Sequence, residues 1–144
     1  PYGDLWDIDE LVEGVGLLAD FDVQAISLAD TVGLATPEHI ADVVGPVLEK
    51  FDGVEIGVHL HSRPDDAAAK VLAAYDAGCR RFDSAIGGLG GCPFAQDVLV
   101  GNIPTESLLQ ALQSRGVTSP INRPIGELVR MSADIASRFS GPKM

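Results

Sequence analysis

Apolar positions recur at helical spacing in some stretches of the chain and alternate in others, and the two patterns take turns. Leu11, Val15 and Leu18 fall on one face of a predicted helix over 7–21. Asp7, with Glu10 three residues on, has the form of a capping box at its start. A short strand follows over 23–29 and ends at Asp30. Thr36–Pro37 then reads as an N-cap with proline in the first helical position. Behind it Ile40, Val43, Val44, Val47 and Leu48 line one helical face. A second strand covers 54–61, a third helix runs over 64–77 and stops at Gly78, and a third strand spans 81–86. Seven residues rich in glycine, 87–93, interrupt the pattern. Thr105 is expected to cap a helix that ends at Gly116, and a last helix covers 125–139.

Strands and helices alternating at roughly 30 residues are βαβ units, which make a parallel sheet. Three strands are expected, all parallel, in one domain over 1–144 with no internal boundary. The second strand decides between the two common parallel architectures. Ile56, Val58 and Leu60 point to one face and Glu55, Gly57, His59 and His61 to the other. A doubly wound sheet meets helices on both faces and needs both to be apolar. A barrel needs only its outer face apolar, so the polar face reads as a lumen. The expected fold is therefore α/β, a (β/α)8 TIM barrel of which this chain supplies the C-terminal three βα units and the terminal helices. The chain opens on Pro1, and the remaining strands are expected upstream of it.

Composition narrows the partners. Ten basic residues against 21 acidic ones give a net charge of −11, which repels nucleic-acid phosphates and anionic membrane surfaces alike. No apolar run reaches the roughly 20 residues of a membrane span, and no signal peptide is evident. Two cysteines, Cys79 and Cys92, do not make a disulfide framework, so a reducing cytoplasm is the expected setting.

Four features carry candidate chemistry. His59 and His61 stand two apart at the C-terminal end of a strand, where TIM-barrel active sites form, and two such imidazoles can chelate a divalent ion. Two exposed histidines at a strand end is the plainer alternative. The loop 87–93 is neither a Walker loop nor a dinucleotide fingerprint. A loop of that composition carrying Cys92 suits a lid that brings an acid–base group to a substrate. Cys79 beside Gly78 reads as a buried small hydrophobe. Asp30 either faces the mouth of the barrel or caps the turn after it. Asn102 is either a turn residue or an oxygen ligand, and His39 reads as a surface residue.

Taken together, Ile26–Gly33, Val58-His59-Leu60-His61, Gly87–Ala95 with its Cys92-Pro93, Gly101-Asn102 and Thr105-Glu106 resemble the hydroxymethylglutaryl-CoA lyase family. The resemblance implies that His59, His61 and Asn102 ligate a divalent metal, Mg or Mn. It implies that Cys92 is a catalytic thiol and that Asp30 sits at the substrate. The implied reaction is retro-Claisen cleavage of 3-hydroxy-3-methylglutaryl-CoA to acetyl-CoA and acetoacetate, as in leucine degradation. A homodimer of the full-length protein would go with it. The family's first strand supplies a metal-binding aspartate and a catalytic arginine in an Arg-Asp-Gly-type motif. Nothing before Asp4 matches it, so the three strands would be the sixth, seventh and eighth. A related metal-dependent aldolase, a Claisen-type acyltransferase and a non-catalytic partial barrel are the alternatives.

Overall fold

The computed structural model describes residues 7–91, 100–119, 121 and 123–139. Its first element is helix α1, Ile8–Asp20. The capping box forms as expected, Asp7 accepting from the amides of Asp9 and Glu10 while the Glu10 carboxylate accepts from the Asp7 amide. Strand β1, Ala25–Asp30, leads to α2, Pro37–Lys50, where the Thr36 hydroxyl accepts from the His39 amide. Strand β2 is Glu55–Ser62 and helix α3 is Ala67–Asp76. The chain leaves α3 through Gly78, whose φ of +108° a side chain rarely tolerates.

Strands β1 and β2 pair in parallel over six residues, from Ala25 opposite Glu55 to Asp30 opposite Leu60. The third strand, β3, is only Arg81–Phe82, paired in parallel with Gly57 and Val58. It stops well short of Ile86, where Ile86–Gly88 forms a 3-10 turn. A fourth strand, β4, was not expected. Gly101–Asn102 lies antiparallel to the end of β2, with His61 opposite Asn102 and Ser62 opposite Gly101. Two residues are too few to show any alternation, so no pattern in the sequence marks it. The sheet therefore runs β1-β2-β3 in parallel with one short antiparallel addition.

Helices α4, Thr105–Ser114, and α5, Gly126–Phe139, complete the described chain. Thr105 does not cap α4. Pro104 holds the cap position without a side-chain bond, and the Thr105 hydroxyl pairs with that of Ser84 at 3.0 Å.

One face of the sheet carries the core. Ile26 and Ile56 pack with Val15 of α1 and Val47 of α2, while Val58 and Leu60 pack with α2, α3 and α4. Val47, Val71 and Cys79 are fully enclosed there. Burial pushes the Cys79 thiol above its ordinary pKa, and its sulfur faces the Arg81 carbonyl at 3.1 Å. A thiol that is both neutral and enclosed reacts slowly. Alkylation of Cys79 is expected to wait for unfolding, which a Cys92→Ser variant would show as labelling only in denaturant. Rapid native labelling of that variant would contradict the packing.

Candidate functional site

The opposite face of the sheet is polar along its length. Glu55 stands at one end of it and His59 and His61 at the other. Ser27, which is in register with Gly57, lies between them on β1. The Ser27 hydroxyl accepts from Arg81 at 2.6 Å and donates to Asp83 at 3.1 Å. Arg81 also comes within 3.8 Å of Asp83 and 3.9 Å of Glu55. Asp83 in turn lies 3.6 Å from Nδ1 of His59, close enough for charge attraction and too far for a hydrogen bond. Gly57 is what admits Arg81, since a Cβ there would meet its side chain at 2.8–3.0 Å.

The two imidazoles stand edge to face with centroids 5.0 Å apart. His59 is 40% exposed by its side chain and His61 is buried. Nδ1 of His61 lies 3.0 Å from the main-chain carbonyl of Asp30. A carbonyl has no proton to give, so the imidazole donates from Nδ1, and in the neutral ring Nε2 then keeps the lone pair. That is the tautomer a metal-binding histidine needs. Asn102 reaches the same place through β4, opposite His61. Its amide nitrogen donates to the Leu89 carbonyl at 3.0 Å, and the ligating atom of an amide is its oxygen. Two imidazole nitrogens and an amide oxygen suit a divalent cation. Among the described residues no group of three or more His, Cys, Asp or Glu side chains is placed to hold a metal ion.

The glycine run gains a structural reason. The Asn102 amide donates to the Gly90 carbonyl at 3.1 Å, so the loop lies directly on β4. A Cβ on Gly88 would stand 3.0 Å from the Asn102 carbonyl, and one on Gly101 would stand 2.9 Å from the Gly88 carbonyl. Gly88 has a φ of +65° as well. Gly88→Ala is expected to cost about 1–2 kcal/mol for the left-handed backbone alone, with more from crowding. Thermal denaturation would measure it, and an unchanged midpoint would mean that the loop does not need this contact.

The Asp30 carboxylate takes the second of the places that the sequence left open, the cap of the turn after β1, and only its main-chain carbonyl faces the histidines. Its carbonyl meets His61. Its carboxylate is 8% exposed and turns to the other side, because Asp30 is in register with Leu60 rather than with His59. There it accepts from the amides of Leu34 and Ala35 at 2.9 and 3.3 Å and from the Lys70 ammonium at 2.8 Å. His39 is exposed, as expected. Cys92 lies outside the described residues.

Lys70, Ser27, Arg81 and Asp83 were not singled out from the sequence. Lys70 had a legible signal. It shares the helical face of Ala67, Val71 and Ala74, so a charge falls where the packing is apolar. Asp83 had none, since β3 is too short to show which way it points.

Known proteins give this geometry a context. Residues 4–135 match the HMGL-like family. The (R)-citramalyl-CoA lyase of Chloroflexus aurantiacus is 39% identical over 103 residues, 72% of this chain and 32% of that protein. The crystal structure of the Bacillus subtilis HMG-CoA lyase superposes with a TM-score of 0.82 at 28% identity, covering 99% of this chain and 47% of that one. An HMG-CoA lyase from Acinetobacter baumannii, solved in complex with coenzyme A and 3-methylmalate, gives 0.78 at 33% identity, covering 95% and 44%. The chain thus spans less than half the length of these relatives, and its parallel sheet is part of their TIM-barrel fold. By its matched residues and by its fold, this chain belongs to the HMGL-like family.

Proposed function

We propose that this chain is the part of a divalent-metal-dependent carbon–carbon lyase that holds most of the metal ligands. Its substrate would be 3-hydroxy-3-methylglutaryl-CoA, cleaved to acetyl-CoA and acetoacetate. The observation that carries the reading is the edge-to-face pair of His59 and His61 with Asn102 opposite His61 in register, and a His61 ring that, when neutral, leaves Nε2 its lone pair. His59 Nε2, His61 Nε2 and Asn102 Oδ1 would hold the cation, Mg or Mn. Bound there, it would supply the Lewis acidity that lowers the pKa of the substrate's tertiary hydroxyl.

The chain's own groups would do the rest. Loss of the hydroxyl proton to a base turns that carbon into a ketone as the adjacent carbon–carbon bond breaks. The electrons of the broken bond leave on the acetyl-CoA fragment, which takes up one proton. We assign that proton transfer to the Cys92 thiol, as the family resemblance implies. Asp30 belongs to the site through the carbonyl that orients His61. Direct contact of its carboxylate with substrate would require release from Lys70. We place the protein in the cytoplasm as a homodimer. Among the described residues no helix is long and apolar enough to cross a membrane.

A second substrate, citramalyl-CoA, is favoured by the 39% identity to a lyase named for it. The same bond cleavage in citramalyl-CoA leaves pyruvate in place of acetoacetate, so one experiment separates the two. The full-length protein is assayed with each thioester under saturating Mn, and the acid product is identified. Acetoacetate from HMG-CoA is expected. Pyruvate alone would shift the assignment to citramalyl-CoA, and release of acetyl-CoA from neither would make the chain a non-catalytic barrel.

A further inference from the structure

Among the described residues the most unusual group is a buried lysine. Lys70 is 4% exposed on the inner face of α3. An ammonium taken out of water is stable only where partners replace its hydration. Lys70 has three, as many as it has protons. It donates to the Asp30 carboxylate at 2.8 Å, to the Gly33 carbonyl at 3.0 Å and to the His61 carbonyl at 2.8 Å. These acceptors are not scattered. Two of the three residues, Asp30 and His61, also bond to each other through the Asp30 carbonyl and Nδ1 of His61. Lys70, Asp30 and His61 therefore close a ring of contacts that joins the end of β1, the end of β2 and the helix behind them.

The ring has a direction. On the helix side of the sheet, Lys70 grips the carboxylate of Asp30 and the backbone of His61. On the polar side, the Asp30 carbonyl grips the His61 imidazole. The third contact, to Gly33, holds the loop that the Asp30 carboxylate also caps through Leu34 and Ala35. Gly33 has little room to move. Its φ is +73°, and a Cβ there would meet the Val100 side chain at 2.6 Å and the His61 carbonyl at 3.3 Å.

We propose that Lys70 is a positioning residue, whose buried ammonium fixes the Asp30 carbonyl against Nδ1 of His61 and so holds the His61 imidazole in one tautomer and one direction. The metal consequence rests on the function proposed above: the Nε2 lone pair of His61 then meets the cation without a search over ring orientations. Partners of this kind behind metal-binding histidines typically alter affinity by about 10- to 100-fold.

The test separates position from stability and from metal binding. Lys70→Met leaves the Asp30 carboxylate buried without its cation, which favours misfolding of that variant. Lys70→Met with Asp30→Asn removes both charges while keeping the shape and the Asp30 carbonyl. The full-length protein and this double variant are compared by circular dichroism, by long-range 15N–1H correlation of the imidazoles without metal, and by Mn titration calorimetry. The parent should show His61 as a single Nδ1–H tautomer. The folded double variant should show averaged tautomers and about 10- to 100-fold weaker Mn binding. An unchanged single tautomer in the folded double variant overturns the positioning role, whatever the metal does. A parent with the fixed tautomer and no affinity for Mn would instead remove the metal site of the proposed function, while a tautomer lost in the variant would still uphold the role of Lys70.

Discussion

Replacing either His59 or His61 with alanine is expected to weaken divalent-cation binding by about 100-fold or more. Partners one step behind a ligand typically change affinity by about 10- to 100-fold, so loss of a ligand itself should lie at the top of that range or beyond. The two substitutions should differ in their other effects. His59 is 40% exposed by its side chain and, beside its edge contact with His61, makes a loose approach to Asp83. His59→Ala should therefore leave the melting temperature nearly unchanged. His61 is buried and holds the Asp30 carbonyl, so His61→Ala also leaves a small cavity and an orphaned acceptor. It should lose stability along with affinity. Calorimetric titration with Mn, beside thermal melts of the same samples, measures both. Parental affinity in both variants would exclude these histidines as the metal site.

These 144 residues, produced alone, are expected to show no detectable cleavage of HMG-CoA and to self-associate. A closed barrel leaves no strand with a free edge. Here β1 pairs with β2 and with no other strand among the described residues, so its outer edge is open to other chains. Large apolar side chains lie in the open as well, among them Phe21 at 81% and Leu34 at 75% exposure, with Met131 and Phe139 on α5. The family resemblance places one further metal ligand and an arginine on a strand that this chain does not contain. An oxyanion-type donor alone is worth roughly 100- to 1000-fold in rate. Losing it together with a charge-neutralising ligand should put turnover below detection. Size-exclusion chromatography and an acetyl-CoA release assay with Mg or Mn test both halves. A compact monomer with robust turnover would mean that the site is assembled differently.

The order of elements and the polarity of the second strand were legible in the pattern of residues alone. Helical and alternating patterns located α1, α2, α3 and α5 within a few residues, because each repeats its apolar positions over enough turns to show a period. The run from Glu55 to His61 announced a sheet with one apolar and one polar face, and the structure places the core on the first and the ion-pair network on the second. The histidines were legible for the same reason, since residues two apart on one strand share a face. The folded chain was needed where elements are too short or too distant for a local pattern. Strand β4 is two residues long and owes its place to glycines that let the loop backbone come within contact distance of it. Asn102 meets His61 across that bridge, 41 positions away in the chain, and no spacing rule reaches so far. Asp30 read as a single candidate, yet its carbonyl and carboxylate serve opposite sides of the sheet. The ammonium that makes this possible comes from Lys70, whose charge reads in the sequence as a misfit on an apolar face. Only the convergence of three acceptors, brought by β1, the loop after it and β2, turns that misfit into a strut, because a buried cation is stable where the fold supplies its hydration shell.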